Sequence, residues 1–405
     1  MNMKIYFSAM GIALLAACSS PQMEAPPAPE KQLFADAQTM QTALAYIQAG
    51  DSLYLSAWEV LRAKADEALA QGPFSVMEKT QNPPSGNKHD YMSQGPYWWP
   101  DPAKPDGLPY IRRDGEVNPE SRGFTDHQYL GQLIGLTETL GKAWYFSGEE
   151  KYAAHAATLI RAWFLDEATR MNPHLNYGQA IPGRTEGRGI GIIETRSLGL
   201  VIDAINLIRN SGHWSETDES AMQAWCRDYL DWLLNSPHGR DEAIQHNNHG
   251  TWYDVQAAAL ALYSGQPGIA TELTELAKTR RLDAHIAADG GQPHEIARTR
   301  SWDYSSMNLW GLFQIARLAD GVDADLWHYP AADESKLRKG LDYLLPFALG
   351  AQTWPHEQIT PFHPEKLLPH LQVAARVFPD GGYAEAAAAI RSAVPDAGDV
   401  SILWE

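Results

Sequence analysis

Apolar residues recur at spacings of three and four along most of the chain, which is the period of helices with one buried face. Two adjacent segments joined by SGEE show the pattern best, from Leu133 to Trp144 and from Tyr152 to Trp163. Alternating apolar and polar residues, which would predict strands, are nearly absent. Further helices are predicted near residues 37–49, 55–71, 196–210, 217–235, 251–264, 268–287, 304–319, 335–350, 364–377 and 381–393.

The predicted fold class is therefore all-α. Helices connected in series either stack as a solenoid with a fixed repeat length or close into a ring, the α/α toroid. No fixed-period repeat occurs in this sequence. We predict an incomplete or closed α/α toroid, formed by residues 36–405 as a single domain.

Two long segments interrupt the helical pattern, at residues 81–123 and 171–195. Long loops inside a compact domain are usually functional or disordered. Disorder is not expected of the first segment, because such regions are poor in large aromatic side chains. Both segments are predicted to be ordered loops that line a cleft. The aromatic residues of the first loop are Tyr91, Tyr97, Trp98, Trp99 and Tyr110.

The N-terminus carries a targeting signal. Lys4 lies in a positive region, and residues 5–17 form an apolar stretch that is too short to span a bilayer. The sequence LAAC at residues 15–18 resembles a bacterial lipobox. This resemblance implies cleavage before Cys18 and attachment of lipid to that residue; an ordinary secretory signal with a chance cysteine is the alternative.

We accordingly predict a signal peptide at residues 1–17, followed at residues 18–35 by the lipidated Cys18 and a flexible tether rich in proline. The predicted location is the outer membrane, with the protein facing the periplasm or the cell surface. Contact with the membrane is expected only through this lipid anchor.

The net charge of the chain limits the classes of ligand that the protein is expected to bind. The formal charge of −18 argues against nucleic-acid binding, because a nucleic acid needs a basic face that displaces its counterions. An anionic ligand would instead require a local basic cluster. The two long loops supply one, together with aromatic rings suited to stacking on sugars. The alternative for Tyr97-Trp98-Trp99 is a hydrophobic plug beneath the first loop.

The segment HNNHGTWYD, at residues 246–254, brings two imidazoles and two amides together before a helical run. His246 and His249 invite a metal interpretation, yet no HExxH motif and no third ligand at a recognisable spacing accompany them. No metal and no cofactor is predicted. Serine hydrolase elbows and nucleotide-binding motifs are also absent from the sequence.

A second cluster, DGGQPHEIARTRSWDYSSMNL at residues 289–309, contains Arg298, Arg300 and Tyr304. Such groups suit β-elimination in a uronic-acid polymer, in which the C5 proton is removed and the C4 oxygen leaves. Asn248 and His249 could neutralise the C5 carboxylate, and Tyr304 could serve as base and then acid. An arginine is expected to lower the pKa of Tyr304.

One tyrosine can perform both proton transfers on mannuronate or glucuronate, where C5–H and C4–O share a face. For guluronate, with its inverted C5, His249 could be the base. Substrate contacts are predicted for Lys88, Tyr91, Tyr97, Trp98, Trp99, Arg184, Arg188, His246, Asn247 and Arg300.

Three segments carry a family resemblance: residues 85–116, HNNHGTWYDVQ and the Arg/Tyr cluster. They resemble the alginate-lyase-like polysaccharide lyases, and family 38 more than family 5, over roughly residues 55–350. The resemblance implies an α/α toroid, cleavage of alginate or glucuronan by β-elimination, and no obligatory metal. The catalytic residues that it implies are Asn248, His249, Tyr304 and Arg298, with Arg300 as the alternative arginine.

Two other functions remain open at the level of sequence. One is a non-catalytic, lipid-anchored protein that binds glycans through its aromatic loop. The other is a glycoside hydrolase on the same toroid, with two carboxylates as acid and base. Candidate carboxylates for that chemistry are Glu186, Glu194, Asp254, Glu295 and Asp303.

Overall fold

The computed structural model describes residues 32–394 and 400–405, and most of them are helical. The predicted signal peptide and lipidated Cys18 lie outside the described residues. The α-helices are α1 (Ala37–Ala49), α2 (Ser52–Ala68), α3 (Thr125–Ser147), α4 (Glu150–Ile160), α5 (Leu198–Ile208), α6 (Glu216–Asn235), α7 (Pro237–Ala243), α8 (Asn248–Tyr263), α9 (Pro267–Ala277), α10 (Pro293–Ile296), α11 (Ser301–Asp320), α12 (Lys336–Ala348), α13 (Leu368–Val377) and α14 (Tyr383–Ala393). The strands are β1 (Met92–Gln94), β2 (Trp98–Trp99), β3 (Ile111–Arg112) and β4 (Tyr177–Ala180).

The helices form two layers. In the inner layer, α3 packs on α5, α5 on α8, and α8 on α11. Each of these helices is followed in the chain by an outer helix: α4, α6, α9 and α12. Helix α8 illustrates an inner position, since 14 of its 16 residues are buried. This alternation of inner and outer helices confirms the predicted all-α, α/α-toroid fold.

Every helix predicted from periodicity is present. Two short helices, α7 and α10, escaped prediction because seven and four residues do not display a helical period. Cys226 lies on α6 and is completely buried, as expected of a core residue. No helix in the described part of the chain is long and apolar enough to cross a membrane.

The two long loops are ordered, and short strands join them. Strand β1 of the first loop pairs in parallel with β4 of the second. Within the first loop, β2 and β3 pair antiparallel, with Trp98 opposite Arg112. Both loops contribute residues to a cavity beside the first turns of α8 and α11, so the predicted cleft-lining loops are confirmed.

The other end of the inner layer is closed by the first and last described segments. The Asp203 carboxylate on α5 accepts the backbone N–H groups of Leu33, Phe34 and Ala35 at 2.5 to 3.1 Å. The Lys142 amine lies 3.4 Å from the ring centre of Trp404. Residues 127 and 142 of α3 are separated by about 22 Å of helical rise, and His127 lines the cavity. The described chain begins below Trp310, a side chain that lines both the cavity and a smaller pocket beside Phe34 and Ala35.

Candidate active site

A cavity of about 750 Å³ lies between the two loops and the first turns of α8 and α11. The positive ends of these helix dipoles point towards it, which favours an anionic ligand. Most of the predicted site residues meet here, although the chain separates them widely. The cavity is lined by the predicted residues Tyr97, Trp98, Arg188, Asn247, Asn248, His249, Arg298, Arg300 and Tyr304.

Asn247 starts helix α8 and thereby positions the two residues after it. Its side-chain oxygen accepts the backbone N–H of His249 at 3.1 Å, as expected of an N-cap. A Cβ atom at Gly250 would overlap the Gln245 carbonyl oxygen and the Arg281 guanidinium, so this first turn requires glycine. Asn248 and His249 are consequently held at the cavity wall.

His246 has a different place from the one predicted. Its ring stacks on His294, with 6.3 Å between the ring centres, and it does not line the cavity. His246 and His249 do not share a helical face, because α8 begins only at Asn248. Among the described residues, no group of three or more His, Cys, Asp or Glu side chains is arranged to hold a metal ion.

A buried carboxylate orients the imidazole of His249. Nδ1 of His249 lies 2.7 Å from Oε1 of Glu242, and the Glu242 side chain has no solvent exposure. Burial raises the pKa of Glu242, while the neighbouring imidazole opposes that rise. The contact fixes the ring through Nδ1, leaving Nε2 as the ring nitrogen for the cavity.

A second buried carboxylate holds Asn248. The oxygens of Glu295 accept the Asn248 backbone N–H at 2.6 Å and its side-chain Nδ2–H at 2.8 Å. Glu295 is only 1% exposed. Its burial raises its pKa, and the two hydrogen bonds from Asn248 counteract that effect. Each member of the Asn248–His249 pair thus has its own buried acid.

Tyr304 faces this pair from helix α11. Its hydroxyl lies 2.7 Å from the Tyr97 hydroxyl, and the Arg298 guanidinium lies 4.0 Å from its ring centre. Asp114 of the first loop grips Arg298 through both carboxylate oxygens, at 2.8 and 3.0 Å. Arg300 instead pairs with Asp303 at 2.9 Å. Of the two candidate arginines, Arg298 is therefore the one that stacks on Tyr304.

The predicted lowering of the Tyr304 pKa is wrong in sign. Burial, followed by the neighbouring Tyr97, raises the pKa of Tyr304, and the charge of Arg298 opposes this rise without reversing it. The guanidinium lies over the ring face, and its charge is partly neutralised by Asp114. Tyr304 is therefore a protonated phenol at neutral pH in the free protein.

Two residues predicted to contact substrate support the first loop instead. Tyr91 is completely buried, and its hydroxyl donates to Glu194 at 2.7 Å. The Lys88 amine donates to the backbone carbonyl of Lys79 at 2.9 Å. Neither residue lines the cavity, and burial excludes direct contact between Tyr91 and a sugar in this structure.

Trp99 and Arg184 also lie outside the cavity lining. Trp99 donates from its indole to the Glu116 carbonyl oxygen at 3.0 Å. The Arg184 guanidinium lies 5.2 Å from the ring centre of Trp98. Arg188 also approaches that ring, at 5.8 Å. Trp98 therefore combines an aromatic surface with cations, rather than offering a bare ring.

Several cavity residues were missed by sequence reasoning because each is a single polar or aromatic residue within an ordinary helical or loop pattern. Gln179 has an unusual backbone conformation, because its φ of 50° is rare for a residue other than glycine. Its side-chain oxygen accepts a hydrogen bond from Arg188 at 2.7 Å. The missed residues include His127, Gln179, Gln245, Trp310, Lys366 and His370.

The cavity lining has six cationic and two acidic side chains, although the whole chain carries a formal charge of −18. Burial lowers the pKa of Arg188 to about 10, which still leaves it charged at neutral pH. Cations removed from water interact more strongly with an anionic ligand. The basic cluster is formed by Arg112, Arg188, Arg196, Arg298, Arg300 and Lys366.

Comparison with known proteins identifies the family. Residues 75–354 match the sequence profile of the family described as Alginate lyase. The chain belongs to the alginate lyase family. A solved alginate lyase from Bacteroides ovatus is 39% identical, with a TM-score of 0.84 over 88% of this chain and 95% of that chain. No curated protein matches the chain.

Two more distant structures share the fold of this alginate lyase family member. Alginate lyase A1-III from Sphingomonas species A1 is 15% identical, with a TM-score of 0.53 over 87% of this chain and 92% of that chain. A variant of alginate lyase A1-III complexed with tetrasaccharide is 15% identical, with a TM-score of 0.55 over 88% and 93% of the two chains. The protein is thus a polysaccharide lyase on an α/α toroid.

Proposed function

We propose that the protein cleaves a polyuronate by β-elimination, with alginate, rich in mannuronate, or glucuronan as substrate. The observation that carries the proposal is that Tyr304, Asn248 and His249 line the same cavity, from two neighbouring helices. The alginate lyase from Bacteroides ovatus supports a uronate polymer as the substrate. The surrounding cations suit a polyanionic chain.

In this proposal, Asn248 and His249 donate hydrogen bonds to the C5 carboxylate as the C5 proton leaves. The carboxylate then gains enolate-like charge, which preorganised donors stabilise far better than mobile water. Glu242 and Glu295 hold the two donors in place before substrate arrives. Preorganisation of this kind is the main contribution that the α8 side makes to the reaction.

Tyr304 serves as the proton-transfer group. Because its pKa is raised, the resting phenol is ready to protonate the leaving C4 oxygen. To remove the C5 proton it must first lose its own proton to solvent, and the charge of Arg298, 4.0 Å from its ring centre, favours the resulting phenolate. On guluronate, His249 takes the role of base and Tyr304 that of acid.

Three of the five carboxylates considered for a hydrolase are engaged by other side chains of the protein. Asp254 is completely buried between Arg280 and Arg281, at 2.5 and 2.8 Å. Glu295 binds Asn248, and Asp303 binds Arg300. Such engaged carboxylates suit structural and positioning roles better than an acid–base pair, so the lyase mechanism is preferred.

The direct test measures ultraviolet absorbance with polymannuronate, polyguluronate and glucuronan, each in the presence of a chelator. The expected result is a rise on at least one polymer, because elimination creates a C4=C5 double bond. New reducing ends without absorbance would indicate hydrolysis instead. Binding without shortening of any polymer would indicate a glycan-binding protein.

We further propose that the enzyme is a lipoprotein of the outer membrane, anchored through Cys18. The lipobox-like sequence supports this location. Replacement Cys18→Ala is expected to move the protein from the membrane fraction to the soluble fraction of the cell. Unchanged membrane association would contradict the anchor.

A further inference from the structure

Glu295 is a buried acid beside the cavity, and the proposed elimination assigns it no proton transfer. It is 1% exposed, and within the described chain its carboxylate accepts hydrogen bonds from a single residue, Asn248. No ion pair with a cation is formed by Glu295 among the described residues. An unpaired buried carboxylate is costly, since burial raises its pKa. The energetic cost of burying the Glu295 carboxylate indicates that its position serves a function.

The geometry points to Glu295 as a positioning residue that fixes which edge of the Asn248 amide is the donor. An asparagine amide can turn over with little change in shape, exchanging its oxygen and nitrogen. The two Glu295 oxygens accept only, so the Asn248 nitrogen must face one of them while the backbone N–H faces the other. The opposite orientation would place two oxygens against each other.

This arrangement leaves one hydrogen on Nδ2 of Asn248 for the cavity. The Asn248 side-chain oxygen is buried and has no hydrogen-bond partner among the described residues. An unsatisfied buried acceptor costs about 1–3 kcal/mol. The free donor suits a uronate carboxylate in the cavity that Asn248 lines. Asn248 therefore presents a defined donor to the substrate.

The inference rests on the proposed function, because it assumes that Asn248 binds the uronate carboxylate. It assigns Glu295 a positioning role, which differs from the role of a general acid or base. Glutamine at this position has the same size but only one acceptor. That oxygen would retain the fixed backbone N–H of Asn248, and the glutamine nitrogen would then face the side chain. The Asn248 amide would turn over to accept from it.

The first test is Glu295→Gln. The expected result is a fall in kcat of roughly 10–100-fold, comparable to the loss of partners that orient other site ligands, with KM changed much less. Thermal unfolding separates this effect from loss of fold. A kcat equal to that of wild type would overturn the inference.

A swapped variant, N248D/E295Q, provides the sharper comparison. The introduced aspartate can accept a hydrogen bond from the side-chain nitrogen of the introduced glutamine. The buried hydrogen bond is thereby restored, with donor and acceptor exchanged. The substrate, however, now meets a carboxylate in place of the Asn248 amide. We expect the Tm to recover towards wild type while kcat stays at or below that of E295Q. Recovery of activity together with Tm would show that the reaction does not need the Asn248 amide as a donor, and would overturn the inference.

Wild-type enzyme in the same absorbance assay distinguishes the two levels of the proposal. If wild type produces no C4=C5 double bond on any polyuronate, the proposed function fails. If wild type is active and E295Q is equally active, only the role of Glu295 fails. Should E295Q not fold, the swapped variant can still overturn the inference, because activity without an Asn248 amide would contradict it.

Discussion

The two sides of the cavity are built in different ways. On the α8 side, Asn248 and His249 are held by the buried acids Glu295 and Glu242, which belong to the helical scaffold. On the α11 side, Tyr304 is contacted by Tyr97, and its arginine is held by Asp114. Both of these partners come from the long first loop. The α8 side is therefore preorganised by the core, whereas the α11 side depends on how the loop lies.

The largest effect is expected from Tyr304→Phe, which removes the proton-transfer group and keeps the ring. We expect kcat to fall by at least about 10²–10⁴-fold, the usual contribution of general acid–base catalysis. The Tm should change little, because the ring still packs under Arg298. Substantial residual turnover of polymannuronate would remove Tyr304 from the base role.

A smaller loss is expected from Glu242→Gln on the α8 side. Glutamine can still accept from the imidazole but carries no charge to stabilise it, so we expect kcat to fall by roughly 10–100-fold. Steady-state kinetics at several pH values provide the measurement. An unchanged kcat would mean that the α8 side does not rely on its buried acid.

On the α11 side, Tyr97→Phe should shift the pH profile more than it reduces the maximal rate. The Tyr97 contact is one cause of the raised pKa of Tyr304, second to burial. Without it, Tyr304 should ionise at lower pH, and the rise of kcat with pH on polymannuronate should move in the same direction. The loss of one hydrogen bond is worth about 1 kcal/mol, or a few-fold in rate. A profile that stays in place would show that Tyr97 and Tyr304 are not coupled.

The smallest effect is expected on stability, from Asp114→Asn. Burial would raise the pKa of Asp114, but its contacts with Arg298 outweigh burial and lower the pKa to about 2. The folded pKa lies below the unfolded value of about 3.9. The contribution of Asp114 to stability is therefore present above pH of about 4 and is lost as pH falls towards 2.

Because Asp114 is partly exposed, this contribution is expected to be about 1 kcal/mol or less. Thermal unfolding of wild type and Asp114→Asn between pH 2 and 6 measures it. The difference in Tm should shrink as the pH falls. A difference that is constant over this range would mean that the ion pair with Arg298 contributes nothing.

The contrast between the two sides of the cavity also explains which features of the site could be predicted from the sequence. Asn248 and His249 were identifiable because neighbouring residues form one helical turn, and the regular periods of the helices predicted the toroid. Their supporting partners were not identifiable, because Glu295 lies 47 residues from Asn248 and Asp114 lies 184 residues from Arg298. The sign of the Tyr304 pKa shift was missed for the same reason, since it depends on burial and on Tyr97.

The closed end of the toroid has a consequence for how the enzyme meets its polymer. Asp203 binds residues 33–35 there, and Trp310 lines both this region and the cavity. In the lipid-anchored form that we propose, the anchor is connected to the domain at this end. Attachment at this end leaves the two loops beside the cavity free of the anchor, so that a long glycan strand can reach the cavity from the aqueous side.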